Sequence, residues 1–126
     1  MSDKKPITEL HSEVTEWISD VKLVRTEIQT FQDELKEIVE KNSHEEVLKG
    51  VEHFQNQFIR QLEVSDELLH DLHLVDRQLA EDASSGKDSD KIFDKENTGV
   101  RDRVETNNNM FTELKNEYHL FLEKWM

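Results

Sequence analysis

The sequence predicts an all-α fold, an antiparallel up-down-up three-helix bundle of the left-handed coiled-coil type, and three observations predict it. Apolar residues recur at alternating steps of three and four along three separate stretches. One proline and three glycines leave little to interrupt long helices. The stretches are separated by one tight turn and one short polar loop, and none shows the period of two expected of a half-buried strand. Residues 1–126 are therefore read as a single three-helix domain.

The first stretch starts from Ile7 and runs Leu10, Val14, Trp17, Val21, Val24, Ile28, Phe31, Leu35, Ile38. This spacing holds each residue on one seam, and a sustained repeat of seven makes helices wrap left-handed about one another. Pro6 suits a first helical turn, where its missing N–H costs nothing, so helix 1 is expected over about residues 6–42. Ser43-His44-Glu45-Glu46 reads as a capping box, with Ser43 accepting from the backbone at Glu46 and Glu46 answering back. A turn this short forces an antiparallel hairpin.

The second seam is Val47, Val51, Phe54, Phe58, Gln61, Ser65, Leu68, Leu72, Val75, Leu79, which places helix 2 over about residues 43–83. Residues 84–89, small, polar and charged, form the expected loop. The third seam is Phe93, Asn97, Val100, Val104, Asn107, Phe111, Leu114, Tyr118, Phe121, Trp125, on a helix over about residues 90–126. Asn97-Thr98-Gly99 interrupts it either as a tolerated glycine costing about 1 kcal/mol or as the true start of the helix. Continuity is expected, because a structureless segment from Ser84 would be long for a compact domain and would take Phe93 off its seam. In architecture only, the arrangement resembles a spectrin-type three-helix repeat, down to Trp17 on the first seam.

Hydrophobic residues make up 34% and charged residues 36%, which suits helices that each bury one stripe. A net charge of −13 disfavours nucleic acid and anionic membrane, since phosphate rewards Lys and Arg and repels carboxylates. The absence of cysteine excludes disulfides, thiolate metal sites and cysteine nucleophiles. The opening residues lack the apolar run of a signal peptide, and nowhere do about 18 apolar residues follow in succession, so a soluble, cytoplasmic chain is expected.

No catalytic residue and no cofactor are expected. There is no glycine-rich phosphate loop, Gly-x-Ser-x-Gly elbow or His-Glu-x-x-His pair. A buried di-metal centre would need carboxylates and histidines projecting into the bundle from several helices. Glu67-x-x-His70 matches half of that motif, with His73 following, but the repeat turns these residues outward. No metal site is expected, although a surface site through His70 and His73 is the alternative in a second functional class.

Besides Asn97, three seam residues are polar: Gln61, Ser65 and Asn107. With the hairpin pivoting near Asn42 and the second loop near Lys87, helices 1 and 2 pair where residue numbers sum to about 86. Helices 2 and 3 pair at a sum of about 173. Ser65 then lies beside Asn107, with Val21 completing the layer, and Gln61 lies beside Phe111. Gln61, Ser65 and Asn107 are thus expected to form a buried polar layer that fixes register.

Ile18, Val39, Leu48, Leu62, Val64, Leu69, Met110 and Leu122 are expected at the core margin, whereas Leu23, Ile59, Leu74 and Leu120 turn toward solvent. Helix 2 carries a second stripe through Leu48, Gln55, Ile59, Leu62 and Leu69. Such a doubled face suits a helix that packs on its own bundle and on something else. The expected function is a non-enzymatic interaction or scaffold module. Its candidate interface is Leu48, Ile59, Leu62 and Leu69, toward a protein partner or a second copy.

Overall fold

The computed structural model of the chain describes residues 7–85 and 89–125, and side chains over 9–81 and 99–125. Three helices account for the described backbone: α1 (Ile7–Lys41), α2 (Glu45–Ser85) and α3 (Ser89–Trp125). They pack as an all-α three-helix bundle, with α1 and α2 in the broadest contact and α1 and α3 in the narrowest. None of the described helices is long and apolar enough to cross a membrane. Pro6 and the centre of the second loop lie outside the described residues. α3 passes through Gly99 without a break, whereas the side chains of Phe93 and Asn97 fall outside the description.

The turn between α1 and α2 is built one residue later than a Ser43 cap would require. The carbonyl of His44 accepts from the Leu48 N–H at 3.0 Å, opening the first helical turn. Its Nδ1 accepts from the Glu46 N–H at 3.2 Å, satisfying one of the donors left free at a helix start. His44, not Ser43, is therefore the cap, and it can accept at Nδ1 only with its ring proton on Nε2. On the other side of the turn, Asn42 Nδ2 donates to the Ile38 carbonyl at 2.9 Å and closes the end of α1. The ring of Trp125 lies 5.2 Å from that of His44, so the end of α3 covers the turn.

The seams form the core, but the core is not one continuous mass. Toward the α1–α2 turn, Val24, Ile28, Leu35, Ile38, Val47, Val51, Phe54, Phe58, Phe111, Leu114 and Tyr118 form one cluster. It is aromatic at its centre, with Tyr118 centroids 4.9 Å from Phe31, 5.2 Å from Phe58 and 5.4 Å from Phe54. At the opposite end Leu10, Val14, Ile18, Val21, Leu68, Leu72, Leu79, Val100 and Val104 form an aliphatic cluster. Gln61, Ser65 and Asn107 sit between the two, and all three are buried. Val39, Val64 and Met110, expected at the core margin, are instead exposed. At flanking positions, burial depends on how closely the neighbouring helix approaches, which the seam spacing does not specify.

Two mid-helix glycines make a controlled comparison. A Cβ at Gly99 would meet nothing within 4 Å, so Gly99→Ala is expected to raise stability by about 0.5–1 kcal/mol through helix propensity alone. A Cβ at Gly50 would overlap the Phe121 ring, which is itself held against Phe54 at 5.3 Å. Gly50→Ala is therefore expected to lose roughly 1 kcal/mol net, because overpacking outweighs the propensity gain. Urea melts of the two variants should move in opposite directions; a gain at both would mean Phe121 is free to swing away.

Candidate interaction site

The polar layer is tied by Asn107. Its Oδ1 accepts from Gln61 Nε2 at 2.6 Å and from Ser65 Oγ at 3.3 Å. Ser65 and Asn107 thus meet at the level the seam pairing assigns them, and Gln61 is bonded into the same layer. Its longer side chain reaches one turn along α3 and makes the shorter bond. Asn107 Nδ2 is buried and has no partner among the described residues. A fully buried amide with unused donor capacity is costly, so the layer contributes more to register than to stability.

The junction of α1 with α2 explains most of the second stripe on α2. Leu62 packs against the aromatic cluster and Leu69 against the aliphatic one, and Leu48 is half-buried. The same step of seven that links 48, 55, 62 and 69 continues to Asp76, whose Oδ1 lies 2.7 Å from His11 Nδ1 on α1. This flank of α2 is therefore turned toward α1 and closes the hairpin. Nearby, Arg25 Nε approaches Asp66 Oδ1 to 2.7 Å as a charge contact, without hydrogen-bond alignment. Of the four candidate interface residues only Ile59 is open to solvent, at 48% exposure. Leu48, Leu62 and Leu69 are half-buried, so Ile59 is the part of the stripe that stands clear of the bundle.

His70 and His73 are exposed on α2. Among the described residues, no three His, Asp or Glu side chains gather where one metal ion could be held. Leu23, Leu74 and Leu120 are exposed as expected, but they lie on three different helices and do not merge into one stripe.

The side of the bundle between α1 and α3 carries an arrangement that the seam analysis missed. Glu13, Asp20, Glu27 and Glu34 follow each other at steps of seven on α1, facing Arg101, Asn108, Lys115 and Leu122 on α3. Glu13 Oε2 lies 3.6 Å from an Arg101 nitrogen, and Lys115 Nζ lies 3.1 Å from Glu27 Oε1. Arg101 also covers the Trp17 ring and Lys115 the Phe111 ring, each at 5.8 Å. At the fourth step, where α3 offers no base, the Tyr118 hydroxyl donates to Glu34 Oε1 at 3.0 Å. Burial raises the Tyr118 pKa well above its ordinary value, and the bond to Glu34 and the Glu34 charge push it the same way. The second step alone is unanswered. Asp20 is exposed with no ion-pair partner among the described residues, and α3 offers it Asn108.

At that level the surface between the two helices is open. A groove of about 450 Å³ opens between them, with Val24 and Phe111 in its floor and Asp20, Leu23, Asn108 and Lys115 around it. The signal was present in the sequence as a heptad of acids on α1 and a matching, interrupted heptad of bases on α3. It lies one position off the apolar seam, where a search for hydrophobic spacing does not look. Compared with protein-family models, with curated proteins and with solved structures, the chain finds no match in any of the three.

Proposed function

We propose that the chain is a non-enzymatic helical interaction or scaffold module that binds a protein partner, or a second copy of itself, through α2. The observation that carries this reading is Ile59, a large apolar side chain 48% exposed on the outer side of the broadest helix junction. On the same flank the half-buried Leu62, one turn away, and Leu48, about three turns away, offer apolar edges that a partner could cover. The charge of −13 supports a protein partner over nucleic acid or an anionic membrane. The cysteine-free sequence suits a reducing compartment such as the cytoplasm.

Sedimentation of the wild type and of Ile59→Lys at low and high salt tests the self-association form of the proposal. Self-association must overcome repulsion between two acidic chains, so it is expected to strengthen as salt screens that repulsion. Ile59→Lys is expected to be monomeric and to unfold within about 0.5 kcal/mol of wild type, as befits an exposed site. A wild type that stays monomeric at high concentration and high salt removes the homodimer and leaves a foreign partner on the same face. A large loss of stability in Ile59→Lys would mean that this side chain is structural.

A further inference from the structure

We infer that the groove between α1 and α3 is a second docking site, and that its occupant is a basic amphipathic helix of a partner protein. The site extends the interaction-module reading from α2 to another flank of the bundle, and it is tested through different residues, so either can fail without the other.

The argument starts from the interrupted ladder. Acids repeat at every seventh residue of α1, and α3 answers Glu13 with Arg101, Glu27 with Lys115 and Glu34 with the Tyr118 hydroxyl. Among the described residues of this ladder Asp20 alone lacks a donor across the seam, and beside it, reaching on to Glu27 and Lys115, the surface opens into the groove. A Lys or Arg supplied from outside would complete the step that Asn108 leaves vacant. The lysine already at the groove cannot serve, because Lys115 is held by Glu27 and by the Phe111 ring. Beside the vacant step the floor is apolar, with the buried Val24 and Phe111, and its lip carries Leu23 at 60% exposure.

An apolar floor flanked by one unpaired carboxylate matches a helix presenting a leucine-type anchor and a cationic side chain one turn away. Charge selects the kind of partner. The whole chain carries −13, so a basic segment is drawn toward it and a second copy of this acidic chain is repelled. Small polyamines share the cationic chemistry but would leave the apolar floor uncovered.

The test uses the full chain and a synthetic helical peptide of about three heptads, with leucines on one stripe and arginines beside it. Binding is read by fluorescence anisotropy. Asn108→Lys fills the vacant step from within and Asp20→Asn removes its charge; both are expected to weaken binding at least tenfold while melting no earlier than wild type. Asn56→Lys, on the exposed outer face of α2, makes the same unit change in charge and is expected to bind like wild type. Ile59→Lys is expected to bind like wild type as well. A Glu-for-Arg version of the peptide should not bind.

The proposal is overturned if the wild type fails to bind the arginine peptide, or if Asn56→Lys weakens binding as much as Asn108→Lys, since the attraction would then be diffuse. It is also overturned if spermidine shows the Asn108→Lys dependence and the peptide does not, or if Asn108→Lys abolishes self-association of the chain instead.

Discussion

Replacing Tyr118 by alanine is expected to cost about 3–5 kcal/mol, the largest loss at any single position in the bundle. Tyr118 is fully buried, and its ring is the hub to which Phe31, Phe54 and Phe58 all pack. Truncation removes that apolar area and leaves a cavity that stiff neighbouring rings cannot collapse into. The hydroxyl adds a dependence on pH whose sign is fixed by the direction of the pKa shift. In the unfolded chain the phenol titrates near its ordinary value of 10.0, whereas in the folded chain it is raised by burial and by Glu34. Below pH 10 both states keep the proton and stability is unaffected by this group. Above it the unfolded state alone loses the proton, so stability falls with rising pH, by up to about 1.4 kcal/mol per pH unit. Tyr118→Phe should lack this alkaline limb, which separates it from the titration of lysines common to both proteins. The chain has a single tyrosine, so tyrosinate absorbance reports this group alone and should rise only as the helical signal is lost. Tyrosinate forming near pH 10 in an intact helical protein would show the ring to be accessible.

The seams were readable in the sequence because burial along a long helix repeats every seven residues. Leu10, Val14, Val21, Ile28, Leu35, Val51, Phe58 and Leu72 all sit where the spacing puts them, each almost without solvent contact. What the spacing could not supply was how the flanks are shared between neighbours. Leu62 and Leu69 look like spare apolar surface until α1 is set beside them, and Val64 and Met110 look like core margin until they are left uncovered. The displaced cap has a similar cause. Ser43 and His44 can both accept from a backbone N–H, and the choice between them depends on where α1 releases the chain, which Asn42 decides by bonding back to Ile38.

The proposed interaction surfaces were less legible than the core. A heptad of acids on α1 reads as an ordinary solvated face while α3 is considered apart from it. Its meaning comes from the pairing of Glu13 with Arg101 and of Glu27 with Lys115, which fixes the parallel alignment of two helices distant in sequence. Each exposed pair is worth little on its own, so the ladder contributes alignment more than stability. The step it omits is informative for the same reason.

The polar layer is the second place where a large effect is expected, and it turns on which groups are removed together. Asn107→Leu alone deprives Gln61 and Ser65 of their common acceptor within a buried layer, and is expected to cost about 1–3 kcal/mol. Removing Ser65 along with it does not repair the damage, because Gln61 makes the shorter bond, 2.6 Å against 3.3 Å, and would remain stranded. A double-mutant cycle should therefore give a larger coupling between Gln61 and Asn107 than between Ser65 and Asn107. Changing all three, with Gln61→Leu, Ser65→Ala and Asn107→Leu, is expected to be neutral or stabilising. It eliminates the unpartnered Asn107 Nδ2 as well and joins the aromatic and aliphatic clusters into one apolar core. Denaturant melts of the single, paired and triple variants would check the order, and a triple variant as unstable as Asn107→Leu would refute the hydrogen-bonded layer. The gain should carry a loss of specificity, since leucines slide past one another by a heptad where the Gln61–Asn107 bond does not. Sedimentation of the triple variant is accordingly expected to show mixed association states under conditions in which wild type shows one. That outcome would identify the layer as the feature that selects this register among the several that its seams would otherwise accept.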